Sequence, residues 1–149
     1  MTLKVLLFGF AGFLASFSPL SAQMRVYDKR EFAPTAFHET IYRMMETCSG
    51  VSGEYENIRW HTAQIILVGD LEEGIQWIGA WFQRRELVEG EWIETEISEI
   101  ILDREFVFDG NIVSHEALHD LYGGAAPMDT AAKCVLDWSR LTYMRRLGD

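Results

Sequence analysis

Basic residues are scarce in this chain: 13 Lys and Arg stand against 23 Asp and Glu, a formal net charge of −10. A protein that tracks a phosphate backbone or an anionic membrane surface needs a basic face, so neither nucleic acid nor a membrane surface is an expected partner. Phosphate loops of the GxxxxGK[ST] or GxGxxG type are absent, which leaves nucleotide chemistry without a carrier. Cysteine is limited to Cys48 and Cys134, with no CxxC spacing. What the chain does have is 48% apolar and 24% charged residues over 149 positions, enough for one domain with a real core.

The opening segment Met1–Ala22 has the layout of a signal peptide. Lys4 gives a short positive start, Val5–Phe17 is an unbroken apolar and small run, Ser18-Pro19 breaks it, and Ala22 is a small residue for cleavage. A membrane anchor is the alternative, but a bilayer needs about 20 apolar residues. The expected mature domain is Gln23–Asp149, exported to a periplasm or secreted. Losing Lys4 takes its formal charge from −10 to −11. It has no further long apolar run and is expected to be a monomer free of the membrane. Two cysteines in an exported domain most simply form one disulfide, so Cys48 and Cys134 are expected to tie an N-terminal helix to a C-terminal one. The rival use is a pair of metal-binding thiols.

Polar Gln23–Pro34 is expected to be a loosely held arm. Phe37, Ile41, Met44 and Met45 recur at helical spacing in Thr35–Cys48, and Ser49–Gly53 stops that helix. From Tyr55 to Asp103 the pattern is strand-like around the turn signals Gly69-Asp70, Glu73-Gly74 and Glu89-Gly90, giving three or four strands. Asp109 starts a second helix that runs to Tyr122 and stops at Gly123-Gly124. A last helix is expected from about Thr130 to Leu147 with Asp129 as its N-cap. The fold class is therefore α+β: an N-terminal helix, a small antiparallel or mixed sheet, then two helices.

One motif carries chemistry. His115-Glu116-Ala117-Leu118-His119 is HExxH. Residues i and i+4 stand one turn apart on one helical face, so two imidazoles there can grip one zinc ion. Glu116 is displaced about 100° around the helix, placed to take a proton from water but not to act as a further ligand. A helix projection puts Ile112, His115, His119 and Tyr122 on one side, with Leu118 and Leu121 beside them facing the core. The bland alternative is two surface histidines and a salt-bridging Glu.

On these residues the chain resembles the zincin metallopeptidases, and in its small exported form it is similar to small bacterial zincin-like domains. The resemblance covers His115–His119 strictly and the sheet-then-helix layout of about Trp60–Gly124 loosely. It implies a zinc cofactor held by His115 and His119, Glu116 as the general base, and a peptide or protein substrate held in extended form along a strand. The chain departs from the family at the third ligand. Tyr122 and Ala125 stand where the extension HExxHxxGxxH requires Gly and His, and no His follows His119 and no Glu follows Glu116. Asp129 and Asp137 are the two candidates, and the third possibility is no ligand at all. Asp120 points away from the pair and suits an outer partner that orients an imidazole. The rival to an active peptidase is a degenerate zincin-like domain that binds a protein or peptide without cleaving it.

Other polar residues read as structural first. His38 and His61 suit packing or surface positions. Tyr122 and Tyr143 could donate to an oxyanion but more simply pack. Trp77, Trp81 and Trp92 could line a groove or pack on a sheet face. The acidic run Glu89, Glu91, Glu94, Glu96 and Glu99 suits a solvated sheet edge that blocks edge-to-edge association.

Overall fold

A computed structural model describes residues 24–68, 75–135 and 144–146. The signal-peptide segment, the turn signals at 69–70 and 73–74, and Asp137 and Tyr143 lie outside the described residues. The order is β1 (Met24–Tyr27), β2 (Arg30–Glu31), α1 (Ala36–Ser49), a 3-10 turn (Tyr55–Asn57), β3 (Ile58–Ala63), β4 (Ile65–Val68), β5 (Ile75–Trp77), β6 (Gly79–Val88) and β7 (Glu91–Asp103). A second 3-10 turn (Arg104–Phe106), α2 (Gly110–Tyr122), α3 (Met128–Cys134) and β8 (Met144–Arg146) follow. The fold is α+β, as the sequence predicts. No helix among the described residues is long and apolar enough to cross a membrane.

The larger sheet runs β2-β3-β7-β6 and is mixed: β3 and β7 are parallel, and the other pairs are antiparallel. Strand alternation sorts its two faces. Ile58, Trp60, Ile100 and Leu102 point to one face, where they pack with Ile41, Tyr42 and Met45 of α1 and Ile112, Val113, Ala117 and Leu118 of α2. Ala63, Ala80 and Ile101 point to the other, packing with Ile66 of a second, antiparallel sheet in the order β1-β4-β5-β8. β6 and β7 join through Glu89-Gly90, both at positive φ (52° and 89°), the tight primed turn that suits a twisted hairpin.

Three expectations change. Gln23–Pro34 is not a free arm, because β1 pairs with β4 and β2 with β3. Those strands are too short for a two-residue period to show in sequence. The last helix does not run from Thr130 to Leu147. It spans Met128–Cys134, with Val135 extended and buried after it, and 144–146 form a strand on β5. Its N-cap is Pro127, not Asp129, which sits exposed in the first turn. The acidic run divides: Glu91, Glu94 and Glu96 are exposed in the part of β7 that pairs with β6 alone, the expected solvated edge, whereas Glu99 lies where β7 runs between β3 and β6. Glu99 is half-buried there and forms an ion pair with Lys29.

Cys48 and Cys134 form the expected disulfide, joining the end of α1 to the end of α3 across 86 residues. In the chain-entropy picture a loop that long stabilises the fold by about 4–5 kcal/mol. Replacing both cysteines with serine should lower the urea midpoint accordingly, and an unchanged midpoint would show that α3 is held without the bridge.

Candidate active site

Helix α2 is fixed at both ends. Asp109 caps its start, its carboxylate accepting from the backbone N–H of Asn111 (2.9 Å) and Ile112 (3.2 Å). Gly123 ends it at φ 61°, and Gly124 follows at φ 154°. Both values favour glycine, so Gly123-Gly124 is a structural requirement of this stop. The loop folds back on His119: the Gly124 N–H donates to the His119 carbonyl (2.9 Å), and His119 Nδ1 meets the Gly124 carbonyl at 2.8 Å. A carbonyl only accepts, so Nδ1 carries the proton and the lone pair of His119 sits on Nε2.

His115 lies one turn before, its ring edge-on to that of His119 with centroids 4.4 Å apart and planes at 81°. Burial, with His119 as the second cause, pushes its pKa down to about 3, so it is neutral at any ordinary pH. Two imidazoles on one helical face could hold a metal ion. They share a cavity of about 160 Å³ with Leu118, Ala125, Ala126 and Ala131, so α3, anchored by the disulfide, forms one wall.

Glu116 lies beside the pair on the helix and points toward the sheet, against Gly79 of β6. It is 2% exposed, and its Oε2 has no hydrogen-bond partner among the described residues. Burial alone pushes its pKa up to about 8. Gly79 explains how it fits. A Cβ at that position would stand 2.6 Å from Glu116 Oε1 and 3.0 Å from Ile112 Cγ2. A glycine within a strand-like run marks such a close approach, and Gly79 is that signal in the sequence.

Asp120 departs from its expected role. Among the described residues it bonds no imidazole. Its Oδ2 accepts from the Tyr42 hydroxyl (2.7 Å), and its Oδ1 accepts from Trp81 Nε1 (3.1 Å) and from the Ser98 hydroxyl. Trp81 lies nearly parallel to the His119 ring, at 17° with centroids 6.4 Å apart. Trp81 and Gly124 are thus the neighbours of the pair that spacing within the motif could not reveal.

The remaining candidates fall elsewhere. His38 is fully buried among aromatic rings, its Nε2–H donating to the Val107 carbonyl (2.9 Å) and its Nδ1 accepting from the Thr35 N–H (3.2 Å). It ties α1 to the segment before α2. His61 sits on the sheet face away from α2, 4.0 Å from Glu99. Tyr122 packs half-buried against the core, and Trp92 is 69% exposed near the hairpin tip. Among the described residues no three His, Cys, Asp or Glu side chains converge, and Asp129 does not join the histidines.

The raised pKa of Glu116 has a sign. The folded, metal-free protein keeps a proton that the unfolded chain releases above about pH 4.5, so stability falls as pH rises from there toward 8. The slope from one such group is about 1.4 kcal/mol per pH unit. Glu116→Gln should remove this limb, so in chelator the variant gains on wild type between pH 5 and 8. Parallel denaturation profiles would refute the buried acid. Gly79→Ala should lower stability by about 1–3 kcal/mol through overpacking against Glu116, measured by the same urea titration.

No protein-family profile, curated protein or solved structure matches this chain, so the chemistry of the site rests on these side chains alone.

Proposed function

We propose that the protein is a zinc-dependent, exported metallopeptidase-like hydrolase of minimal size. The observation that carries this reading is the contact of His119 Nδ1 with the Gly124 carbonyl, which leaves Nε2 as the ligating nitrogen on the same helical face as neutral His115. His115 and His119 are the two residues that would hold zinc. Zinc there would supply a Lewis acid that acidifies water and polarises a peptide carbonyl.

The chain's own groups set the remaining steps. Glu116 stands protonated in the metal-free site at neutral pH. Beside a cation it would ionise, and its carboxylate can then accept a proton from water and return it to the leaving amine. Its burial keeps bulk water away from that proton. β6 is the outermost strand of its sheet and passes α2 at Gly79 and Trp81, so its outer backbone groups can pair with an extended peptide.

A second reading has its own observation. Asp129 is exposed on α3 rather than turned to the pair, which favours a zincin-like scaffold that binds a peptide without cutting it.

Metal content separates the readings. The chain, expressed with export to an oxidising compartment and purified without chelator, should carry near-stoichiometric zinc that His115→Ala/His119→Ala loses. Glu116→Gln should keep the zinc and lose peptide cleavage by at least about 100-fold, the scale of a general base. Zinc without cleavage in wild type would favour the binding scaffold. No zinc above the double variant, even after zinc is supplied, would end the metal reading.

A further inference from the structure

Asp120 is the convergence point of three elements. Tyr42 reaches it from α1, Ser98 from β7 and Trp81 from β6. All three donate, and no Lys or Arg is bonded to the carboxylate among the described residues. Burial, with Asp120 next, pushes the Tyr42 phenol up, so that donor keeps its proton. The three donors are not equivalent. A hydroxyl can rotate and accept instead, whereas an indole N–H can only donate. Trp81 is therefore the partner whose placement depends on an acceptor at Asp120.

Trp81 in turn lies against His119. Its ring is close to parallel with the imidazole, an offset stack at 6.4 Å. The Gly124 carbonyl holds the Nδ1 edge of the same imidazole (2.8 Å). One contact fixes which nitrogen carries the proton, and the other restricts rotation of the ring about its own bond. We propose that Asp120 and Trp81 are positioning residues for His119, with the Asp120 carboxylate anchoring the indole and the indole face holding the imidazole so that Nε2 stays set to ligate. Neither touches the reacting atoms. The inference rests on the metal-site reading for its consequence, but the restraint on the ring exists without metal.

That separation shapes the test. In the metal-free full chain, long-range proton–nitrogen correlations should show His119 as a single Nδ1–H form whose proton exchanges slowly, with cross-relaxation to the Trp81 indole. Trp81→Ala and Asp120→Ala should each abolish the slow exchange and average the ring signals, while Trp81→Phe, which keeps a flat face, should preserve them. On zinc titration against a competing chelator, the two alanine variants should bind about 10–100-fold more weakly than wild type, the usual scale for outer partners of a metal ligand. Trp81→Phe should stay within about threefold of wild type by the same scale. Asp120→Ala leaves Tyr42 without its acceptor, so if it fails to fold, the Trp81 pair carries the test. Unchanged His119 exchange in Trp81→Ala would overturn the proposal. Lost ring order with no zinc bound by any form would uphold the restraint and defeat only the metal reading. Altered ring order with equal zinc affinity in all variants would refute the positioning role.

Discussion

Glu116 buries a carboxyl group against the backbone of β6, in a space that exists because residue 79 has no side chain. A buried acid with an unmet oxygen costs free energy, by about 1–3 kcal/mol on mutational scales. Nothing in the packing of α2 requires it, since Ile112, Val113, Ala117, Leu118 and Leu121 already bury the helix in the core. The fold therefore carries a polar group where an apolar one would be more stable, and it keeps the group proton-loaded. Acids whose pKa is strongly shifted by desolvation cluster at functional sites.

The rest of the architecture serves that helix. Asp109 and Gly123-Gly124 set its two ends, and the second of these stops also places a carbonyl on His119. Sheet alternation turns Gly79, Trp81 and Ser98 toward α2 and turns His61 away from it. α1 supplies Tyr42 to Asp120, and through Cys48 it anchors the short helix that walls the histidine cavity. The site is thus built on a sheet edge, one helix and two restraints from α1, not on a mobile loop.

Much of this could be read directly. The HExxH spacing placed His115 and His119 together, the cap signals bounded α2 closely, and compartment reasoning paired Cys48 with Cys134. The failures share a cause. The length of α3, the partners of Asp120, and the roles of Gly79 and Trp81 depend on residues distant in sequence, where periodicity has no reach. Asp129 looked like an N-cap because it precedes a helical run, yet the chain enters the helix two residues earlier at Pro127. The helix projection turns Asp120 off the histidine face, but what it meets there comes from β6, β7 and α1.

The proposed metal site requires that one helix present two imidazoles to a zinc ion beside a buried acid. A crystal structure of the zinc-loaded protein with data at the zinc absorption edge tests it most directly. An anomalous peak is expected about 2.0–2.1 Å from Nε2 of both His115 and His119, with the His119 Nδ1 contact to Gly124 intact. Zinc bound elsewhere, or through Nδ1 of His119 with that contact broken, would contradict it.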